Sequence, residues 1–323
     1  MRTPRFLLAA AAAFCFVSFQ SCKKNDGPTP VPPPVIMPDT LTTGWTKKLV
    51  PNETGFGDIF FNSSTTGYLV GSKIYKSTDG GNNWLQVLPA NGVFNIFMTN
   101  DSKAFFVGTN SLIIKTIDGG SSFLNTAIGA PSSDIFFIDN ANGFCIAYDG
   151  LYNTIDAGVT WSKITTTGLP AISSYASLSF INNTTGWVVN QSGIYRSVGS
   201  LTNWQQATVT GGTGSYFVSV YATSATNVYA ANSYGEIFRS TDGGTSFTFI
   251  KNLGAGGFSD LHFLTDLQGY AGCGRSVFKT TDGGANWSKV VSLGQGSIGE
   301  LHFTDAIHGW VCGSDGVVLI FKP

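Results

Sequence analysis

From residue 59 onward the chain repeats one pattern of apolar and polar positions. An apolar triplet is followed by a short polar turn and then by glycine and an aromatic residue. Examples are Ile59-Phe60-Phe61 with Gly67-Tyr68, Ile135-Phe136-Phe137 with Gly143-Phe144, Leu261-His262-Phe263 with Gly269-Tyr270, and Leu301-His302-Phe303 with Gly309-Trp310. A second phrase, S/T-x-D-x-G-x-x-W/F, follows at residues 77–84, 116–123, 154–161, 240–247 and 280–287, and a worn copy at 197–204 carries Gly199 in place of the aspartate. Successive aspartate positions lie 39, 38, 43, 43 and 40 residues apart, the length of one four-stranded propeller blade.

Four strands per unit follow from this pattern. The first is the apolar triplet, the second follows the Gly-aromatic pair, the third ends at the Ser or Thr, and the fourth begins at the Trp or Phe. The triplets are apolar at consecutive positions, which predicts burial on both faces. First strands fall at Ile59, Ile96, Ile135, Leu178, Val220, Leu261 and Leu301, so the expected fold is all-β, a seven-bladed propeller of four-stranded antiparallel blades. The seventh unit ends after Val317-Val318-Leu319-Ile320-Phe321, without an aspartate turn. Residues 44–50, with Trp45 at their start, read as its missing fourth strand, which closes the ring and removes exposed sheet edges.

Composition sharpens this picture. Charged residues are 11% of 323, far below the usual share of about 25%, and 40 are glycine, so disorder and long solvated helices are excluded. A net charge of -1 leaves no basic field for nucleic acid. Arg2 and Arg5, the apolar run 6–19 and the small Ser21 have the order of an export signal over 1–21, too short to span a bilayer as a helix. Its removal leaves 16 basic and 19 acidic side chains. Residues 22–40 include a proline-rich stretch that reads as an extended spacer. The propeller is assigned to 41–323.

Phe19-Gln20-Ser21-Cys22 resembles the lipobox of bacterial lipoproteins, which implies lipidation of Cys22 and a membrane partner through the anchor. The aspartate phrase resembles the Asp-box, or bacterial neuraminidase repeat. Over 41–323 the chain is also similar to the photosystem II assembly-factor-like propellers. The resemblance implies a structural role for Asp79, Asp118, Asp156, Asp242 and Asp282. The residue chemistry agrees: a carboxylate accepts backbone N–H bonds in a tight turn, glycines supply positive φ, and the aromatic packs beneath the hairpin. No Lys-Ser or Lys-Thr follows the Gly-Gly pairs, so they are not phosphate loops.

Catalytic sets are not found. Sialidases sharing the repeat use three arginines as a carboxylate clamp, but here Arg196 and Arg239 align with Lys76, Lys115 and Lys279 as periodic charges on third strands, leaving Arg275. A glycosidase needs two carboxylates across a cleft, and the only glutamates are Glu53, Glu236 and Glu300. His262 and His302 share one strand position with Phe60, Phe97 and Phe136 and read as core-like, with a shared metal as the alternative. No metal or cofactor is expected. Cys145, Cys273 and Cys312 read as buried thiols, a Cys273–Cys312 disulfide being the alternative.

A binding face is the remaining candidate. The residue before each triplet is polar: Asp58, Asn95, Asp134, Ser177, Ser219, Asp260 and Glu300. In a propeller these positions start the innermost strands at the mouth of the central channel and make it negative, suited to a cation, an amine or a basic partner. Water-facing strand caps are the simpler role for the same residues. The inter-blade loops of that face contribute Tyr175 and Tyr216, with Arg275 as the nearby cation. The expectation is a monomeric, non-enzymatic lipoprotein of a bacterial cell envelope, at the outer membrane. It would bind a protein, peptide or glycan, with a glycan-active hydrolase as the alternative.

Overall fold

The apolar triplets form the innermost strands of seven sheets set around an axis. The computed structural model describes residues 37–323 except 173–174, 215 and 255; the signal segment and Cys22 lie outside the described residues. The innermost strands are Asp58–Phe61, Val93–Asn100, Ser132–Phe137, Ala176–Asn182, Phe217–Ala222, Phe258–Phe263 and Ile298–Asp305. Each packs beside the next, and the seventh packs beside the first. We number the blades 1 to 7 in that order. No helix occurs among the described residues.

Strands within a blade pair antiparallel in chain order, as in blade 1, where Asp58–Phe61, Gly67–Val70, Lys73–Ser77 and Leu85–Pro89 are successive neighbours. Blade 7 takes its fourth strand from the other end of the chain: Trp45–Leu49 pairs with Val317–Phe321, Trp45 opposite Phe321 and Leu49 opposite Val317. Trp45 is buried against Phe303 and Phe321. The ring is therefore closed by strands from both ends of the propeller, as the orphan tryptophan predicts.

Two blades carry a fifth strand that the repeat does not foretell. Thr40–Leu41 pairs antiparallel with the outer strand of blade 6, and Thr208–Thr210 pairs parallel with that of blade 5. Both cover outer edges that would otherwise present unpaired backbone groups.

The triplets differ from the expectation of burial on both faces. Ile59 and Phe61 are buried, whereas Phe60 between them is only partly buried, and Phe97 and Phe136 repeat this. The physical reason is alternation: on an innermost strand one side chain in two points at the axis, and the axis is hollow. The third residue instead packs between blades. Phe61 stacks on Trp310 of the preceding blade with ring centroids 3.7 Å apart, and Phe137 on Phe105, Phe180 on Phe144, Phe263 on Tyr229 and Phe303 on Tyr270 do likewise. The glycine of the Gly-aromatic phrase makes room for that ring: a Cβ on Gly309 would lie 2.1 Å from Phe303. Cys145, Cys273 and Cys312 are buried free thiols, so the alternative disulfide is not formed.

Candidate functional site

Topology decides which face can carry a site. Innermost strands start on one face, so turns between second and third strands and the inter-blade loops share it, while the aspartate turns lie on the other. We call the first the loop face.

On the turn face each aspartate is saturated by its own hairpin. Thr154 Oγ1 donates to Asp156 Oδ1 at 2.8 Å, Thr160 N donates to the same oxygen at 2.9 Å, and Thr160 Oγ1 donates to Oδ2. Asp79, Asp118, Asp242 and Asp282 make the same bonds with Asn83, Ser122, Ser246 and Asn286. Hydrogen bonds from Ser122 and Thr160 hold Asp118 and Asp156 down at about 2. Gly81 reaches a φ of 85°, the left-handed region that the turn requires. In the worn copy Ser197 turns elsewhere, donating to Thr184 O and accepting from Gly186 N.

On the loop face a funnel of about 380 Å³ opens along the ring axis. Its upper wall holds Asp58, Asn95, Asp134, Ser177, Asp260 and Glu300, and its lower wall Phe60, Phe97, Phe136, Ser179, Tyr221, His262 and His302. Pairing shifts by a residue just before Asn95, Asp134, Ser219 and Asp260. Such bulges re-aim the side chain that follows, and sequence periodicity does not reveal them.

These polar side chains also join the blades. Asp58 accepts from Ile59 N of its own strand at 2.6 Å and from Ile96 N of the next blade at 2.7 Å. Asp134 accepts from Ile135 N and Leu178 N, and Asp260 from Leu261 N and Leu301 N. Ser177 Oγ accepts from Val220 N, Ser219 Oγ from Leu261 N, and Ser179 Oγ from Ala222 N. Innermost strands have one edge with no further strand to pair with, and these oxygens satisfy part of it. Glu300 is different: its hydrogen bond is with the Asp260 carboxyl.

Burial raises all four acids. Asp134 is pushed up to about 7. Asp58 rises through burial and then through the Asp260 and Asp134 carboxylates, and Glu300 through burial and then Asp260 and Asp58. Burial lowers His262 to about 4 and lowers His302 well below its usual value, so both imidazoles are neutral at pH 7. His302 Nδ1 accepts from Phe61 N of the next blade, and its ring lies 4.0 Å from that of Phe60. With His262 5.1 Å away and itself buried, the histidines continue an aromatic collar around the axis. Among the described residues no cluster of three metal-ligating side chains occurs.

The structure places Tyr175 at the rim of this funnel, 69% exposed and in ring contact with Phe94. Tyr216 and Arg275 share the loop face but do not line the funnel. Arg275 lines a separate groove beside Met37 and Pro38, where its Nη1 donates to Gly294 O. Arg239 bonds Asn227, and Arg196 bonds Gln205, each on its own blade. Two glutamates act where sequence reasoning assigned nothing. Glu53 accepts from Ser72 N, Ser72 Oγ and Tyr75 Oη, and Glu236 from Thr213 N, Thr213 Oγ1 and Asn232 Nδ2, so each pins an inter-blade loop to a hairpin of the loop face. Burial alone would raise both, yet these bonds outweigh it and hold them low. Their rarity in a chain with three glutamates was the one available signal.

No protein-family model matches the chain, and no curated protein matches it in sequence. Solved structures do. YCF48 bound to D1 peptide superposes with a TM-score of 0.71 at 17% identity, over 91% of this chain and 100% of that one. YCF48 from Cyanidioschyzon merolae gives 0.70 at 18%, over 87% and 99%. The extracellular domain of BT4673 from B. thetaiotaomicron gives 0.69 at 13%, over 85% of this chain and 39% of that one. At these identities the likeness is one of fold, and the chain is similar to the propellers of YCF48 and BT4673.

Proposed function

We propose that the chain is an envelope lipoprotein whose propeller holds a protein or peptide partner on its loop face, acting by binding rather than by chemistry. The observation that carries this reading is the funnel itself, open on the face that also displays the inter-blade loops, with the exposed Tyr175 at its rim. A fold-level neighbour, YCF48, is known with a peptide bound, which supports a peptide as the class of partner. The turns at Asp79, Asp118, Asp156, Asp242 and Asp282 are read as Asp-boxes that fasten the blades. The segment 1–21 is read as a lipoprotein signal and Cys22 as the lipidated residue, anchoring a monomer in the outer membrane of a bacterium.

Affinity capture from native membranes, repeated with Tyr175→Ala and Tyr216→Ala together, tests the face. Loss of the captured partner is expected, and an unchanged partner set overturns the assignment. A glycan-active hydrolase is the rival, suggested by the repeat that sialidases share. Incubation with sialosides and envelope polysaccharides decides it: turnover abolished by one carboxylate substitution defeats the binding reading. Cys22→Ser is expected to release the protein from the membrane fraction.

A further inference from the structure

The funnel carries a chemistry more specific than its position. Four carboxyl groups share its upper wall, and among its described lining residues there is neither lysine nor arginine to balance them. One further oxygen on that wall, Asn95 Oδ1, is buried without a hydrogen-bond partner. The lower wall is aromatic, Phe60, Phe97 and Phe136 following one another with ring centroids 4.9 and 5.3 Å apart. Glu300, which accepts no backbone N–H, and the unpartnered Asn95 Oδ1 stand above aromatic faces, a combination complementary to a cation. A cation entering from the loop face donates hydrogen bonds to the carboxyl groups of the upper wall, and the ring quadrupoles beneath add attraction.

We propose that the funnel is a receptor for a basic side chain, a lysine or arginine of the partner inserted along the ring axis; this rests on the loop face being the binding face. Glu300 is the residue most available to the incoming head, because it accepts no backbone N–H of a neighbouring blade whereas Asp58, Asp134 and Asp260 do. The groups around it are those three acids, the neutral His262 and His302, the Tyr221 hydroxyl, and behind the wall the thiols of Cys145 and Cys312. Burial holds protons on the acids, so cation binding expels them and binding strengthens as pH rises.

Calorimetric titration of the full chain in detergent tests this with a pentapeptide, acetyl-Gly-Gly-Lys-Gly-Gly-amide, and its norleucine counterpart. The lysyl peptide is expected to bind at least about tenfold more tightly than the norleucine peptide, and to weaken as pH falls from about 8 to about 5. Glu300→Gln is expected to weaken it by about tenfold without lowering the melting temperature, and if that variant melts early the norleucine and pH comparisons still decide. Equal binding of the two peptides, no binding of either, or displacement of the lysyl peptide by calcium chloride would overturn the proposal. If the lysyl peptide fails while Tyr175→Ala still abolishes partner capture, the basic side chain is wrong and the binding face stands.

Discussion

The indole Nε1 of Trp310, on blade 7, donates to the carbonyl of Gly80 in the aspartate turn of blade 1 at 2.9 Å, across 230 residues of chain. Trp187 makes the same bond to Gly243, and the Tyr229 hydroxyl to Gly283. At these three junctions the two recurring phrases are halves of one contact: the aromatic after the glycine docks on the aspartate turn of the following blade. Gly244 shows how close the approach is, since a Cβ there would lie 2.2 Å from Trp187 Nε1.

Replacing Trp310 separates the stack from the hydrogen bond. Trp310→Phe keeps a ring over Phe61 but leaves the Gly80 carbonyl without its donor, and about 1 kcal/mol of stability should be lost. Trp310→Ala removes both and should cost about 3–5 kcal/mol. Urea unfolding of the two variants beside the parent checks the order, and equal losses would show that the bond adds nothing.

Glycines serve two purposes that alanine distinguishes. Gly309→Ala drives a methyl into the Phe303 ring and should cost about 3 kcal/mol, with altered tryptophan emission from the displaced Trp310. Gly199→Ala meets nothing within 4 Å and carries only the strain of its φ of 70°, about 1 kcal/mol. Thermal melts of both variants give the comparison.

Ring closure depends on Trp45 more than on its short strand. Trp45→Ala removes the edge contact with Phe303 and the tilted contact with Phe321, and a loss of about 3–5 kcal/mol is expected. Limited proteolysis should then cut first near residues 44–50. A variant that resists both protease and heat like the parent would place closure elsewhere.

Stability should peak in mild acid. Asp134 rises to about 7 in the fold from an ordinary value near 4, so between those pH values the folded chain holds a proton that the unfolded chain has released. That contribution is lost as pH rises from about 4 to about 7, and Asp134→Asn should flatten this limb. Asp118 and Asp156, held at about 2, act oppositely: their stabilisation is complete above about 4 and disappears as pH falls toward about 2. Melting temperatures from pH 2 to 8 test both limbs.

Much of the architecture was legible because repetition reports itself. The seven triplets, the 38–43-residue spacing and the unpaired Trp45 state blade number, strand order and closure without coordinates. Position-specific side-chain direction was less legible. Phe60, Phe97 and Phe136 read as core because triplets of apolar residues look alike whether a face meets packed protein or a hollow axis. Tyr175 and Tyr216 are neighbours by loop logic alone, and only Tyr175 reaches the funnel rim.

Local spacing determined what each unit would become: hairpins, aspartate turns and an order of strands that could close on itself. Convergence was decided by the ring. Asp58, Asp134, Asp260 and Glu300 are separated by dozens of residues, and it is curvature, together with the bulges before Asp134 and Asp260 and the irregular pairing around Glu300, that turns them into one uncompensated wall. Hydrogen bonds within a hairpin depend on neighbours in sequence, whereas the field inside a channel depends on distances that exist only after all seven blades have met.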